Sequence, residues 1–179
     1  MTGVTGPGTL DWRVATDELV AAPITAALSS MDRATEVFAA PIDPELADTA
    51  AFCERYSVSL EDSANCVVIA GRRGEETRYA ACVILATTRA DVNGIVRRRL
   101  DARKASFAPM DDAVRLTAME YGGITPIGLP GNWPVLIDAA VMARDVVVIG
   151  SGLRRSKIAL PPSVLAALPT AEVIDGLAG

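Results

Sequence analysis

Residues 65–88 read NCVVIAGRRGEETRYAACVILATT, and this stretch decides that the fold is built on paired β-strands. Cys66 to Ala70 and Tyr79 to Thr87 are β-rich runs joined by a charged turn that holds Gly71 and Gly74, the pattern of a β-hairpin. Downstream, Thr88 followed three positions later by Asp91 resembles a capping box, and Val92, Ile95, Val96 and Leu100 recur at helical spacing. Arg97 to Arg99 then fall on the last turns of a helix, where cations complement the helix dipole. Upstream, Asp43 can cap, Pro44 suits a first helical position, and Leu46, Thr49, Ala50 and Cys53 form a helical stripe, which predicts a helix over 44–56.

Beyond the hairpin, Lys104 to Ala108 is a strand candidate ended by Pro109, and Asp111 to Met119 a short helix. Val135 to Ile137 and Val146 to Ile149 are apolar strands, SGLRRSK (151–157) is a turn, and Ile158 to Leu160 is another strand. Pro161-Pro162 precedes a helix ending near Leu168, and Glu172 to Ile174 is a last short strand. Leu10 to Met31 is Ala-rich and expected to be helical, with Pro23 starting or breaking the helix. Residues 1–9 are expected as a disordered leader and 10–44 as an accessory helical arm. No repeat or long linker divides the chain, so strands and helices together predict a single compact α/β domain.

The 179 residues are enough to bury a core without disulfides or metal, and half of them are hydrophobic, mostly small and aliphatic. The net charge of −5 argues against a general nucleic-acid coat. Local basic clusters remain, at Arg97, Arg98, Arg99, Arg103 and Lys104, and at Arg154, Arg155 and Lys157. Cys53, Cys66 and Cys82 have no C-x-x-C spacing, so neither a disulfide framework nor a zinc site is signalled. The N-terminus lacks a basic start followed by an apolar run, and no stretch is long and apolar enough to span a membrane, so a cytoplasmic location is expected. The chain contains no histidine. Ser-His-Asp, Cys-His and His-ligated metal chemistry within the chain are therefore excluded.

Residues 121–134, YGGITPIGLPGNWP, hold four glycines and three prolines directly before the apolar strand at Val135. Glycine lets main chain approach a ligand closely and proline fixes the curve, so such a loop can aim backbone N–H and C=O groups at a small polar group. A donor aimed at an ester carbonyl would stabilise the oxyanion by about 2.7–4 kcal/mol without any histidine.

Three stretches in order carry a family resemblance: ANCVVIAG at the hairpin, YGGITPIG followed by WPVLIDAAV, and VVVIGSGLRRSKIALPPSVLAAL. Together they resemble the YbaK/EbsC family, also found as an editing module inserted in prolyl-tRNA synthetases. The likeness covers roughly residues 45–176. It implies an α/β fold around a mixed, barrel-like sheet surrounded by helices, and hydrolysis of the ester of a mischarged aminoacyl-tRNA, without a cofactor. The implied partners are the aminoacyl-tRNA 3′ end and, as a candidate, an aminoacyl-tRNA synthetase. The aminoacyl ester would lie against the loop formed by Gly122, Gly123, Ile124, Thr125 and Pro126.

One departure from the pattern concerns charge. Family deacylases carry a lysine near the start of the first hairpin strand, where this chain has Asn65. Asparagine can hydrogen-bond a phosphate or carbonyl but carries no charge. Lys157, in the late turn, is a compensating cation under the hypothesis that the charge has moved; the alternative is a solvated lysine on an edge strand. Ser151 and Gly152 resemble the family's small-residue turn facing the pocket, with Arg154 beside them, while a tight turn is the competing account. Asp138 either lines the pocket or simply caps the helix that follows. Tyr121 and Trp133 either stack on the terminal adenine or staple the loop to the core. Cys66, with no partner to stabilise a thiolate, reads as structural.

Three functions stay open at this point: a trans-editing deacylase, a catalytically silent module recognising tRNA 3′ ends, and a small-molecule-binding or hydrolysing protein. The amino acid, the tRNA and the oligomeric state do not follow from the sequence.

Overall fold

The computed structural model describes residues 6–179; the first part of the expected leader lies outside the described residues. The strands and helices run in the order β1 (Arg13–Val14), α1 (Ala22–Leu28), β2 (Phe38–Pro41), α2 (Thr49–Tyr56), β3 (Ala64–Arg73) and β4 (Glu76–Leu85). They continue with α3 (Arg97–Arg99), β5 (Lys104–Phe107), α4 (Met110–Thr117), β6 (Val135–Asp138), α5 (Ala139–Met142), β7 (Val147–Gly150), β8 (Ser156–Leu160), α6 (Pro162–Ala166) and β9 (Ala171–Ile174).

The expected hairpin forms as β3 and β4, with Ala64 opposite Leu85 and Arg73 opposite Glu76. It is the heart of a five-stranded sheet of order β5-β3-β4-β6-β9, in which β6 runs parallel to both β4 and β9. A second sheet of order β1-β2-β8-β7 is antiparallel throughout. The expectation of one barrel-like sheet is corrected here: there are two open sheets, linked at a bridge between Ser63 and Val148.

The main core fills the space between the sheets, with Val83, Leu85 and Ile137 from one and Val147, Ile149, Ile158 and Leu160 from the other. A second apolar layer, built on Trp12, Phe52 and Cys53, covers the outer face of the four-stranded sheet through Ala40, Val148 and Ala159. A third packs Val96 and Leu100 on Ile69, Cys82 and Leu136 of the other sheet. The second half of β4 and all of β6 are buried on both faces, which is why AACVIL (80–85) and VLID (135–138) read as nearly continuous apolar runs.

The N-terminal tract is not the helical arm expected. Its helical residues are Ala22–Leu28, with Pro23 in the first turn where its missing N–H costs nothing, and a 3-10 turn at Ala34–Glu36. The rest supplies β1 and β2, and β2 pairs with β8 from Phe38–Ala159 to Pro41–Ser156. Trp12 and Ile24 are fully buried. The helix expected over 44–56 is a 3-10 turn at Pro44–Leu46, capped by the Asp43 side chain, followed by α2. After β4, Asp91 alone caps, accepting from the Gly94 and Ile95 amides, while the Thr88 hydroxyl turns back to the Leu85 carbonyl. The segment it opens is a π-turn at Val92–Val96 before α3. Among the described residues no helix is long and apolar enough to cross a membrane.

Candidate active site

Strand β5 covers the edge of β3 only from Ile69 to Arg72, leaving the first half of β3 open. A cavity of about 410 Å³ occupies that opening. Asn65 to Val68 of β3 form one wall, Val148 to Gly150 of β7 another, Thr49 and Phe52 of α2 a third, and the loop residues Tyr121, Gly122 and Ile124 a fourth. Lys157, Arg154 and Phe107 complete it.

Lys157 lies in β8 rather than in a turn, between Ala40 of β2 and Gly150 of β7. It is 7% exposed, not solvated on an edge. Its Nζ donates to the Ala47 carbonyl at 3.1 Å and stands 5.2 Å from the centroid of the Phe52 ring, a cation–π distance. Burial holds its pKa below the ordinary lysine value; nearby Cys53 and Asp48 oppose that shift, and Arg154 adds to it. Asn65 is half-buried, and its Oδ1 accepts from the Thr49 hydroxyl at 2.8 Å. With Oδ1 engaged, the Asn65 amide group keeps its two N–H donors for other partners.

The loop is seated by contact between two stretches of bare backbone. A Cβ on Gly150 would lie 2.5 Å from the Gly123 carbonyl oxygen, and a Cβ on Gly123 would lie 2.8 Å from the Leu153 carbonyl oxygen. Main chain therefore packs on main chain, and the Gly152 amide donates to the Gly123 carbonyl at 2.6 Å. The Gly123 amide donates in turn to the Glu120 carbonyl, so Gly123 has no free main-chain group for a ligand. Gly122 and Ile124 line the cavity, and among the described residues their amides have no main-chain acceptor. Gly122 has φ +89°, a conformation that glycine adopts without strain.

Arg154 spans the rim. Its amide donates to the Glu120 carboxylate, and its guanidinium donates to the Tyr121 carbonyl at 3.2 Å and the Pro44 carbonyl at 3.1 Å. It has no carboxylate within ion-pair distance of the guanidinium among the described residues, so its charge faces the mouth unneutralised. Tyr121 is 56% exposed at the same rim.

Six residues brought forward by the sequence do not line the cavity. Thr125 is fully buried, and its hydroxyl has no hydrogen-bond partner among the described residues. Pro126 faces a separate groove with Leu129 and Leu168. Ser151 is buried, bonded through its hydroxyl to the Ser156 hydroxyl and to the Leu153 carbonyl. Gly152 packs on Ala21, Ile24 and Met119. Asp138 is buried at the first turn of α5 but makes no side-chain cap bond, so capping does not explain it either. Trp133 is core, stacked on Tyr79 with centroids 5.2 Å apart. Cys66 reaches the cavity, but burial, reinforced by Cys82, pushes its thiol far up, so no thiolate forms near neutral pH.

The sequence alone does not mark Thr49, Phe52, Phe107 or Gly150 as site residues. Gly150 carries a usable signal, since it interrupts the apolar run VVVIG directly before a second glycine turn. Thr49 and Phe52 carry none, because a helix residue reveals its neighbours only once the helix is docked.

The chain thus combines a two-sheet α/β fold with a histidine-free cavity lined by glycine, Asn65 and the buried Lys157. The sequence matches the aminoacyl-tRNA editing domain over residues 43–168, and the chain belongs to that family. Among solved structures it resembles a candidate trans-editing enzyme for prolyl-tRNA synthetase, with TM-score 0.72 and 18% identity over 86% of this chain and 93% of that one. It also resembles a scaffold from computational epitope grafting, with TM-score 0.73 and 19% identity over 87% and 95%. A hypothetical protein gives TM-score 0.65 and 21% identity over 78% and 86%. At such identities these likenesses show the fold. No curated protein matches the sequence.

Proposed function

We propose that the protein hydrolyses the ester of a mischarged aminoacyl-tRNA, with its 3′ end held in the cavity between β3, β7 and the 121–124 loop. The observation that carries this reading is that Asn65, Lys157, Gly122 and Ile124 line one cavity. Family membership supports the substrate class.

In this reading the ester carbonyl lies near the Gly122 and Ile124 amides, which donate hydrogen bonds to its oxygen as water attacks the carbonyl carbon and negative charge develops there. The tetrahedral intermediate then collapses, releasing the amino acid and leaving the ribose hydroxyl on the tRNA. Lys157 contributes a positive charge from within a low-dielectric wall, where it acts on the oxyanion or the terminal phosphate more strongly than a solvated cation would. Asn65 adds uncharged donors, oriented by Thr49. The aminoacyl ester is an activated bond with a neighbouring ribose hydroxyl, so positioning without an imidazole base is a sufficient strategy. Thr125 and Pro126 shape the loop from behind. Arg154 and Tyr121 meet the nucleotide at the rim.

Incubation with a panel of aminoacyl-tRNAs tests the reading. Ester loss faster than in buffer for at least one of them is the expected result, and Lys157→Met, which keeps the packing of the stem, is expected to abolish it. Saturable binding with no ester loss would replace the enzyme by a silent module of the same fold, the one alternative that Asn65 in place of lysine favours. Moving the ammonium with the pair Asn65→Lys and Lys157→Met is expected to recover part of the turnover.

A further inference from the structure

One end of the five-stranded sheet gathers three cations. Arg72 of β3 and Lys104 of β5 are directly opposite each other in the antiparallel pair, and the Arg103 amide donates to the Arg72 carbonyl beside them. All three side chains are exposed, and none forms an ion pair among the described residues. Three other arginines nearby are paired: Arg73 with Asp101, Arg78 with Glu76, and Arg99 with Glu172. Like charges placed directly across a sheet are unfavourable. In a chain of net charge −5 this unneutralised group stands out against its surroundings.

The same strand leads to the cavity. β5 is an edge strand, paired only to β3, so its outer edge is open to a ligand that passes from the Lys104 face to the Phe107 end. Its last residue, Phe107, lines the mouth of the cavity while 63% exposed. Lys104 is three residues away, about 10 Å along an extended strand. On the other side of Phe107, α4 begins with Met110, Asp111 and Asp112, whose acidic groups repel a polyanion. An exposed aromatic at the mouth and a cationic group one strand-length away, bounded by carboxylates on the far side, match a single-stranded nucleic acid in base stacking, charge and direction.

We propose that the β5 edge is the track for the unpaired RNA strand that leaves the cavity, with Phe107 stacking on a base at the mouth and Arg72, Arg103 and Lys104 taking the phosphates that follow. This rests on the reading of the cavity as the site of the aminoacylated 3′ end, and adds where the rest of the strand lies.

The test uses an uncharged RNA hairpin ending in single-stranded CCA, so that it is independent of ester cleavage. Binding by the full chain is measured against salt concentration. Arg72→Ala, Arg103→Ala and Lys104→Ala combined are expected to flatten the slope of log K against log salt by about 2, at about 0.7 for each single-strand phosphate that is no longer neutralised. Phe107→Ala is expected to weaken binding about 5- to 150-fold at every salt concentration, with the slope unchanged, and Phe107→Trp to restore it. Circular dichroism of each variant confirms that it is folded; if the triple variant is not, Lys104→Glu alone is expected to lower affinity and flatten the slope. Unchanged affinity and slope in the cation variants, or a wild-type chain that does not bind the hairpin, would overturn the track. Hairpin binding that responds as expected, in a protein that cleaves no aminoacyl-tRNA, would sustain the track and reject the hydrolase.

Discussion

Lys157 combines two properties that rarely occur together, a charge-bearing group and a place inside a sheet. Its pKa is lowered chiefly by burial, so in the interval between the folded value and the unfolded value of 10.5 the unfolded chain binds more protons. Stability against urea is therefore expected to rise with pH through that interval, and the rise should be absent in Lys157→Met. A step that uses the ammonium weakens in the same interval: deacylation above the buffer rate should fall at a lower pH than an exposed lysine would dictate, as a pH–rate profile can show. Thr125 gives the opposite kind of prediction. Its hydroxyl is buried without a hydrogen-bond partner among the described residues, so Thr125→Val is expected to be neutral or to stabilise by about 1 kcal/mol in urea unfolding. A destabilisation instead would mean that the hydroxyl has a partner in solution.

Among the elements, the meeting of the 121–124 loop with the 150–153 turn controls the site. Gly150 on β7 lies beside Lys157 in the ladder, and its missing side chain admits the Gly123 carbonyl. Gly150→Ala would press a methyl group on rigid backbone and is expected to cost about 1–3 kcal/mol. Because the loop must then shift, deacylation should fall about 100-fold even at temperatures where the variant is fully folded. Activity retained alongside lowered stability would show that the loop's position is not critical. Most elements could be read from local pattern: the hairpin, β6 and β7 show strand periodicity and composition, and helix α4 ends within two residues of its expected limit. The edges of helices were less legible. The 44–56 stripe looks continuous, yet a 3-10 turn ends at Leu46 and the α-helix begins only at Thr49, and the Ala47 carbonyl between them accepts from Lys157.

For the molecule as a whole, the N-terminal tract decides how the four-stranded sheet is closed. Strand β2 covers β8, Trp12 covers the outer face, and Ile24 enters the space between the sheets. Trp12→Ala is expected to destabilise the protein by about 3–5 kcal/mol, measured by chemical denaturation, whereas a peripheral arm would tolerate it with little change. The sequence by itself determined the β-hairpin, the glycine-proline loop, the family resemblance and the absence of imidazole chemistry, because each is written in contiguous residues or in composition. It also brought Asn65, Lys157 and the loop forward as partners, 92 positions apart at the widest in Asn65 and Lys157. Only the tertiary structure decided that Lys157 is buried against Phe52, that Thr125 and Ser151 are buried, and that Phe107 and Gly150 line the same cavity as Asn65. Those properties depend on which distant backbone lies alongside, and a local pattern of alternation or composition carries no record of that neighbour.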